Sequence, residues 1–203
     1  MTRNFSVRSA AAVAVILAGS MVLAQAQAPL ALTTSKVTIA GTSNIHDYTA
    51  TTTQVKVTKV QLGEAAPGAA FWDDVQKPGV LQAFDISIPA VTLKSTKEGL
   101  DKNMYKALKT DKHPDITFNM KRMEGEPGAL KAIGMLSVAG VEREVTLPLK
   151  TTRKGDGLAV SGVLDILMTD YGIAPPKAMM GMVKADPKIK ITFDVLLGVT
   201  ATN

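Results

Sequence analysis

Few side chains in this sequence are equipped for chemistry, and their spacing narrows what they can do. The 203 residues include two histidines, ten methionines and no cysteine. Without a thiol there is neither a cysteine nucleophile nor a disulfide framework. No Gly-x-Ser-x-Gly elbow presents a serine nucleophile. His46-Asp47 offers a base beside a carboxylate. Neighbours in sequence, however, cannot make the His–Asp hydrogen bond of a catalytic triad without an unusual turn. Asp170-Tyr171 has acid–base groups, but it precedes Gly172, where such a pair ordinarily caps a turn. No nucleophile–base–orienter set assembles, so the sequence assigns no catalytic residue and does not read as an enzyme.

The other chemistry on offer is soft-metal binding. Met179, Met180 and Met182 cluster around Gly181, and thioethers together with an imidazole suit Cu(I). The only histidines, His46 and His113, lie far apart in sequence, and His113 directly precedes Pro114, where ending a helix is reason enough for it. A Met-rich copper-binding protein is therefore the alternative of another class, permitted by ligand softness but demanded by no spacing, and no metal ligands are assigned. Met104, Met120, Met123, Met135 and Met168 are spread along the chain. Flexible thioethers of this kind fill gaps in a core or mould to a chain-like guest.

These thinly spread groups must be positioned by something, and the chain divides readily. Arg3 and Arg8 precede an apolar run from Ala10 to Leu23, followed by Ala24-Gln25-Ala26. That order is a secretory signal, so residues 1–26 are expected to be cleaved, leaving Gln27 first. The run is short for a spanning helix, which needs about 20 residues. No cysteine is present to carry a lipoprotein anchor, and no second apolar run of spanning length follows. The expected plan is a linker at 27–34, one domain at 35–199 and a tail at 200–203. The formal net charge is +5, with basic residues scattered at alternate positions rather than clustered. That is a solvated face rather than a nucleic-acid footprint, and export makes nucleic acid a poorer partner still.

Period-two alternation dominates the domain. Ile116, Phe118 and Met120 alternate with polar residues, as do Ile189, Ile191, Phe193 and Val195. Eight strands are predicted, near 36–40, 54–62, 81–89, 115–123, 129–138, 144–152, 157–167 and 187–199. Glycine-rich turns at 124–128 and 154–157 make two of the connections antiparallel hairpins. One segment departs from the alternation. Ser95-x-x-Glu98 has capping-box spacing, and Leu100, Met104, Ala107 and Leu108 recur at helical intervals up to His113-Pro114. The expected fold is all-β: an eight-stranded antiparallel barrel with one short amphipathic helix against it, a two-sheet sandwich being the competitor. A barrel of about eight strands is wide enough for packed side chains or one small ligand, and alternation alone does not choose between full and hollow.

Four stretches together resemble the YceI-like family, the lipocalin-like polyisoprenoid-binding proteins of the bacterial envelope. They are Gly41-Thr-Ser-Asn-Ile-His46-Asp47-Tyr48; Leu100-Asp-Lys-Asn-Met104 leading to His113-Pro114-Asp-Ile116-Thr-Phe118; Gly134-Met-Leu-Ser-Val-Ala-Gly140; and Thr169-Asp170-Tyr171-Gly172-Ile173 with Pro176. The connection around Phe71-Trp72-Asp73-Asp74 and the Met179–Met182 cluster depart from the family pattern. The resemblance implies a periplasmic barrel around a tunnel that sequesters or carries a long apolar lipid, an isoprenoid such as a polyprenyl chain or quinone. Fatty acids, fatty amides and hydrophobic drugs are the alternative guests. Beyond such a ligand no cofactor is implied. Alternation and resemblance together nominate Phe84, Ile86, Ile116, Phe118, Met120, Leu136, Leu147, Leu164, Ile191 and Phe193 as tunnel lining, with ordinary core packing as the competing role of each. Ser43, Asn44, His46 and Tyr171, in turns that carry the resemblance, are the candidate head-group contacts, although side chains of these types also simply build turns. A homodimer through an exposed strand or helix face is compatible with the sequence, which shows no decisive patch.

Overall fold

The computed structural model describes residues 30–64, 70–178, 180 and 182–199. The expected signal and its cleavage site, the tail at 200–203, Met179 and Gly181 lie outside them.

Among the described residues ten strands form in chain order: β1 (Leu30–Ser43), β2 (Asp47–Thr52), β3 (Lys56–Leu62), β4 (Leu81–Pro89), β5 (Asp115–Glu124), β6 (Leu130–Val138), β7 (Val141–Lys154), β8 (Gly157–Leu167), β9 (Lys177–Ala178) and β10 (Val183–Val199). Nine of them make one curled antiparallel sheet in the order β2-β1-β10-β8-β7-β6-β5-β4-β3, and β9 pairs with the start of β10. The two ends of that path, β2 and β3, are consecutive in the chain and separated only by Thr53–Val55. They act as one stave that changes neighbours: β2 pairs with β1, and β3 with β4. The expected antiparallel lipocalin-like barrel is therefore present, with more strands than the eight anticipated.

The differences have physical causes. The Asp47–Thr52 strand was not anticipated because its inward positions, Tyr48, Ala50 and Thr52, include only one large apolar side chain. Residues 30–34, expected as linker, belong to β1: Leu30 is buried and pairs with Val199. The hairpins at 124–130 and 154–157 form as expected.

Among the described residues two α-helices interrupt the strands. The short α1 (Phe71–Asp74) was not anticipated, and α2 (Glu98–Leu108) occupies the expected helical segment. The capping box does not form. Lys97 is the residue before the first turn and makes no side-chain cap. The Ser95 hydroxyl turns to its own loop, donating to the Lys97 carbonyl at 2.9 Å. Asp101, 8 % exposed, takes over the fastening by accepting the Ser95 backbone N–H at 2.8 Å. Hydrogen bonding from the Ser95 side chain, then from its backbone N–H, with the Lys94 charge nearby, holds the Asp101 carboxyl below its ordinary range against the opposing effect of burial. The helix stops at Lys109, which adopts a left-handed conformation (φ 54°), four residues before His113. The αL residue redirects the chain without help from the proline.

Antiparallel pairing sorts the connections onto two ends of the barrel. One end holds the 44–46, 139–140 and 168–176 turns together with α2. The other holds α1, the 125–129 and 155–156 turns, and the paired strand ends Leu30 and Val199. The second end is plugged. Trp72 is 2 % exposed and packs with Leu30, Val75, Leu158 and Leu197. Its indole N–H donates to the Asp156 carbonyl at 3.0 Å, Phe71 meets it edge-on at 5.2 Å, and Arg153 lies 5.5 Å from its ring centre. Gln76 braces this floor, donating to the Trp72 carbonyl and accepting from Thr151, both at 2.7 Å.

Candidate functional site

The inward positions of the strands enclose a cavity of about 490 Å³. That falls in the roughly 300–1,000 Å³ range of small-molecule sites. All ten nominated residues border it: Phe84, Ile86, Ile116, Phe118, Met120, Leu136, Leu147, Leu164, Ile191 and Phe193. So do residues that alternation did not single out, among them Val37 and Ile39 of β1, Tyr48 of β2, and Leu100, Met104, Ala107 and Leu108 of α2. The apolar stripe of α2 thus closes part of the cavity wall, and its polar face is outside.

Glycines explain why the lumen is not filled. Gly162 stands opposite Phe193 in the β8–β10 ladder, and Gly41 stands opposite Tyr48 in the β1–β2 ladder. A methyl group added at either glycine would collide with the facing ring, and one at Gly134 would collide with the Phe118 ring. Each ring therefore lies back over a strand that has no side chain at that point. Large aromatics that would otherwise meet across the barrel line its wall instead.

Polar groups collect at one end. Val75, Gln76, Thr151, Leu158 and Leu197 end the cavity over the Trp72 floor. At the opposite end the lining includes Ser43, His46, Lys97, Asn103 and Lys177, most of them exposed, so the cavity reaches the surface there. A small side pocket of about 170 Å³ adjoins this mouth, lined by His46, Asp47, Tyr48, Thr49, Thr96, Lys97 and Leu100. Burial pushes the Tyr48 phenol above its usual value, with Asp186 adding to the effect. Tyr171 is raised by burial and by Asp170, against an opposing pull from Arg143. Both phenols are therefore neutral near pH 7, able to donate a hydrogen bond but not to act as phenolate bases.

The four nominated head-group residues separate on inspection. Tyr171 is buried and borders the cavity, as do Ser43 and the exposed His46. Ser43 spends its hydroxyl on its own turn, donating to the His46 carbonyl at 2.8 Å and accepting the His46 N–H at 3.2 Å. Asn44 does not border the cavity. Its amide donates to the Met182 carbonyl and accepts the Lys184 N–H, each at 2.8 Å, so it is a clamp between the β1–β2 turn and the start of β10. The polar mouth residues that sequence reasoning missed, Lys97, Asn103 and Lys177, come from segments remote from one another, and no local pattern marks them.

Among the described residues no buried side-chain polar atom lacks a hydrogen-bond partner. No group of three or more His, Asp or Glu among them is placed to hold a metal ion. Met180 and Met182 have exposed side chains. His113 packs against Gly140 in the β6–β7 turn. Among the described residues no helix is long and apolar enough to cross a membrane.

Comparisons with known proteins agree with this architecture. The YceI-like domain model matches residues 29–197. No curated protein matches the chain by sequence. Among solved structures, the chain is similar to BcnA of Burkholderia cenocepacia, at TM-score 0.61 and 15 % identity over 83 % of this chain and 96 % of that one. A polyisoprenoid-binding domain from Saccharophagus degradans superposes with TM-score 0.62 at 12 % identity, over 86 % of this chain and all (100 %) of the domain. The Campylobacter jejuni YceI protein gives 0.52 at 17 % identity, over 73 % of this chain and 85 % of its own. At such identities the likeness is one of fold.

Proposed function

The chain belongs to the YceI-like family, and from that premise we propose that it binds a long apolar lipid inside the barrel and sequesters or carries it in the periplasm. An isoprenoid, polyprenyl or quinone, is the favoured guest. The observation that carries this reading is the apolar cavity of about 490 Å³, floored by Trp72 and open at a polar mouth. Between the floor and the mouth its wall is built of apolar side chains, with no charged group to partner a small polar substrate. A chain lipid needs no such partner: each buried CH₂ contributes about 0.8 kcal/mol, so a five-carbon unit adds roughly 3–4 kcal/mol before ordering costs. The polyisoprenoid-binding relative with the same fold supports an isoprenoid, and the open mouth suits a guest whose head stays near water.

In this reading the tail lies along Phe84, Phe118, Leu147, Ile191 and Phe193, and the head group rests among His46, Tyr48, Lys97 and Tyr171. No step requires a catalyst, and the protein acts by exclusion of water. Export through the N-terminal signal supplies the compartment.

Denaturing mass spectrometry of an organic extract from the purified protein tests the proposal. A prenyl lipid or quinone in stoichiometric amount is expected. A fatty acid or amide would keep the carrier role and change the guest. An extract that stays empty after exposure of the protein to envelope lipids would sink the carrier reading.

A further inference from the structure

Exposed apolar side chains and lysines gather around the mouth. Of the large apolar residues that face solvent among the described residues, Ile45, Val91, Leu167, Met180 and Met182 lie at the mouth end, while Val163 lies on the wall and Val199 at the floor end. Met182 is 66 % and Ile45 61 % exposed, and the Asn44 clamp holds their two segments together. Val91 belongs to the turn beneath α2, where the Tyr105 hydroxyl donates to its carbonyl at 2.9 Å. Beside this rim, residues 94–112 expose Lys94, Lys97, Lys102, Lys106, Lys109 and Lys112 against only Glu98 and Asp111. Asp101 is turned inward to Ser95. Other acids are present at this end (Asp47, Asp115, Glu142, Asp170 and Asp186), but none interrupts the lysine run of the α2 segment.

We propose that the mouth rim and the outer face of α2 dock on the surface of an anionic lipid bilayer, setting the cavity opening against the lipid. The lysines are attracted by anionic head groups, while Ile45, Met180 and Met182 reach between them. Neither element suffices alone: one short helix and a few scattered apolar side chains make at most a reversible contact, which is what a carrier that must leave again requires. Charge complementarity favours the bilayer over a second copy of the chain, because two such lysine-rich faces repel each other. Docking gives the carrier reading a loading site, yet its geometry stands apart from the identity of the guest.

The test is co-sedimentation of the chain from Gln27 onward, which contains every described residue, with vesicles. Phosphatidylcholine vesicles containing about 30 % phosphatidylglycerol are compared with phosphatidylcholine alone. Binding is expected only to the anionic vesicles, with release in about 0.5 M salt. Replacing Lys102, Lys106 and Lys112 together by Gln, which keeps helix propensity, should weaken binding about tenfold or more. Replacing Ile45 and Met182 by Ser should weaken it several-fold. Equal binding to both vesicles, no binding, or indifference to the lysine substitutions would overturn the proposal. So would a dimer in light scattering that the Ile45→Ser/Met182→Ser variant dissolves, since the rim would then be covered by a second copy. Lipid content read from the same preparations separates the two proposals: a loaded protein that ignores vesicles sinks docking alone, and an empty one that binds them sinks the carrier alone.

Discussion

The two ends of the barrel are built on opposite principles. The floor is an aromatic plug: Trp72 has its N–H satisfied by Asp156, its ring covered by Arg153 and its carbonyl tied through Gln76 to Thr151. The mouth is a set of turns held by short polar links, Ser43 to His46 and Asn44 to Met182 and Lys184, with apolar side chains left facing water. Burying an aromatic ring and its polar handle together gives a closed, unexchangeable end. Side-chain-to-backbone links at the surface hold a shape but exclude nothing, so the end they organise can admit a guest. A hollow barrel needs both, because a vessel open at two ends would conduct rather than hold.

Breaking the floor should have the largest effect. Trp72→Ala is expected to cost about 3–5 kcal/mol, read by urea denaturation, and to lower the amount of lipid extracted per protein. Gly41→Ala acts on the wall near the mouth. The atoms nearest the new methyl belong to the Tyr48 and Ile189 side chains rather than to backbone, so the fold can survive while Tyr48 is pushed into the lumen. A loss of about 1–3 kcal/mol is expected, together with reduced lipid per protein in the extract. Asn44→Ala removes both ends of the clamp and should cost about 1 kcal/mol, with faster hydrogen exchange at Lys184 and no change near Trp72.

Asp101 supplies a pH test confined to the mouth end. Its carboxyl is depressed in the folded chain, so its contribution is fully present above the unfolded value of about 3.9 and is lost as the pH falls through the lower folded value. The melting-temperature gap between the wild type and Asp101→Asn should therefore close on acidification below about pH 4, and equal gaps at all pH values would refute it. The smallest effect on stability belongs to His46→Ala. Exposed at the mouth, it should leave the melting temperature nearly unchanged while weakening lipid retention; a large stability loss with normal lipid content would instead make His46 a turn residue.

The wall of the barrel was more legible than its ends. Ile116, Phe118 and Met120, like Ile189, Ile191 and Phe193, alternate so regularly that strand, register and inward face follow together, and all of them border the cavity. The short stave Asp47–Thr52 escaped because threonines occupy three of its six positions and leave no apolar period. Ser95 and Glu98 had the spacing of a capping box, but the buried carboxylate of Asp101 competed successfully for the Ser95 N–H. Whether the barrel was full or hollow could not be read from alternation, which tells which face a residue takes but not how far away the opposite wall stands. The information lay in the pairing of Gly162 with Phe193 and of Gly41 with Tyr48, visible only once the register is known. The mouth was the least legible part, since Lys97 and Lys177 meet there only through the fold.

Leu30 and Val199 pair with each other beside the Trp72 floor. Any tether attached at either end of the barrel therefore leaves from the pole remote from the opening. A protein grafted to a bead, an electrode or a fusion partner through either terminus would present its opening outward, and one handle would orient every molecule the same way.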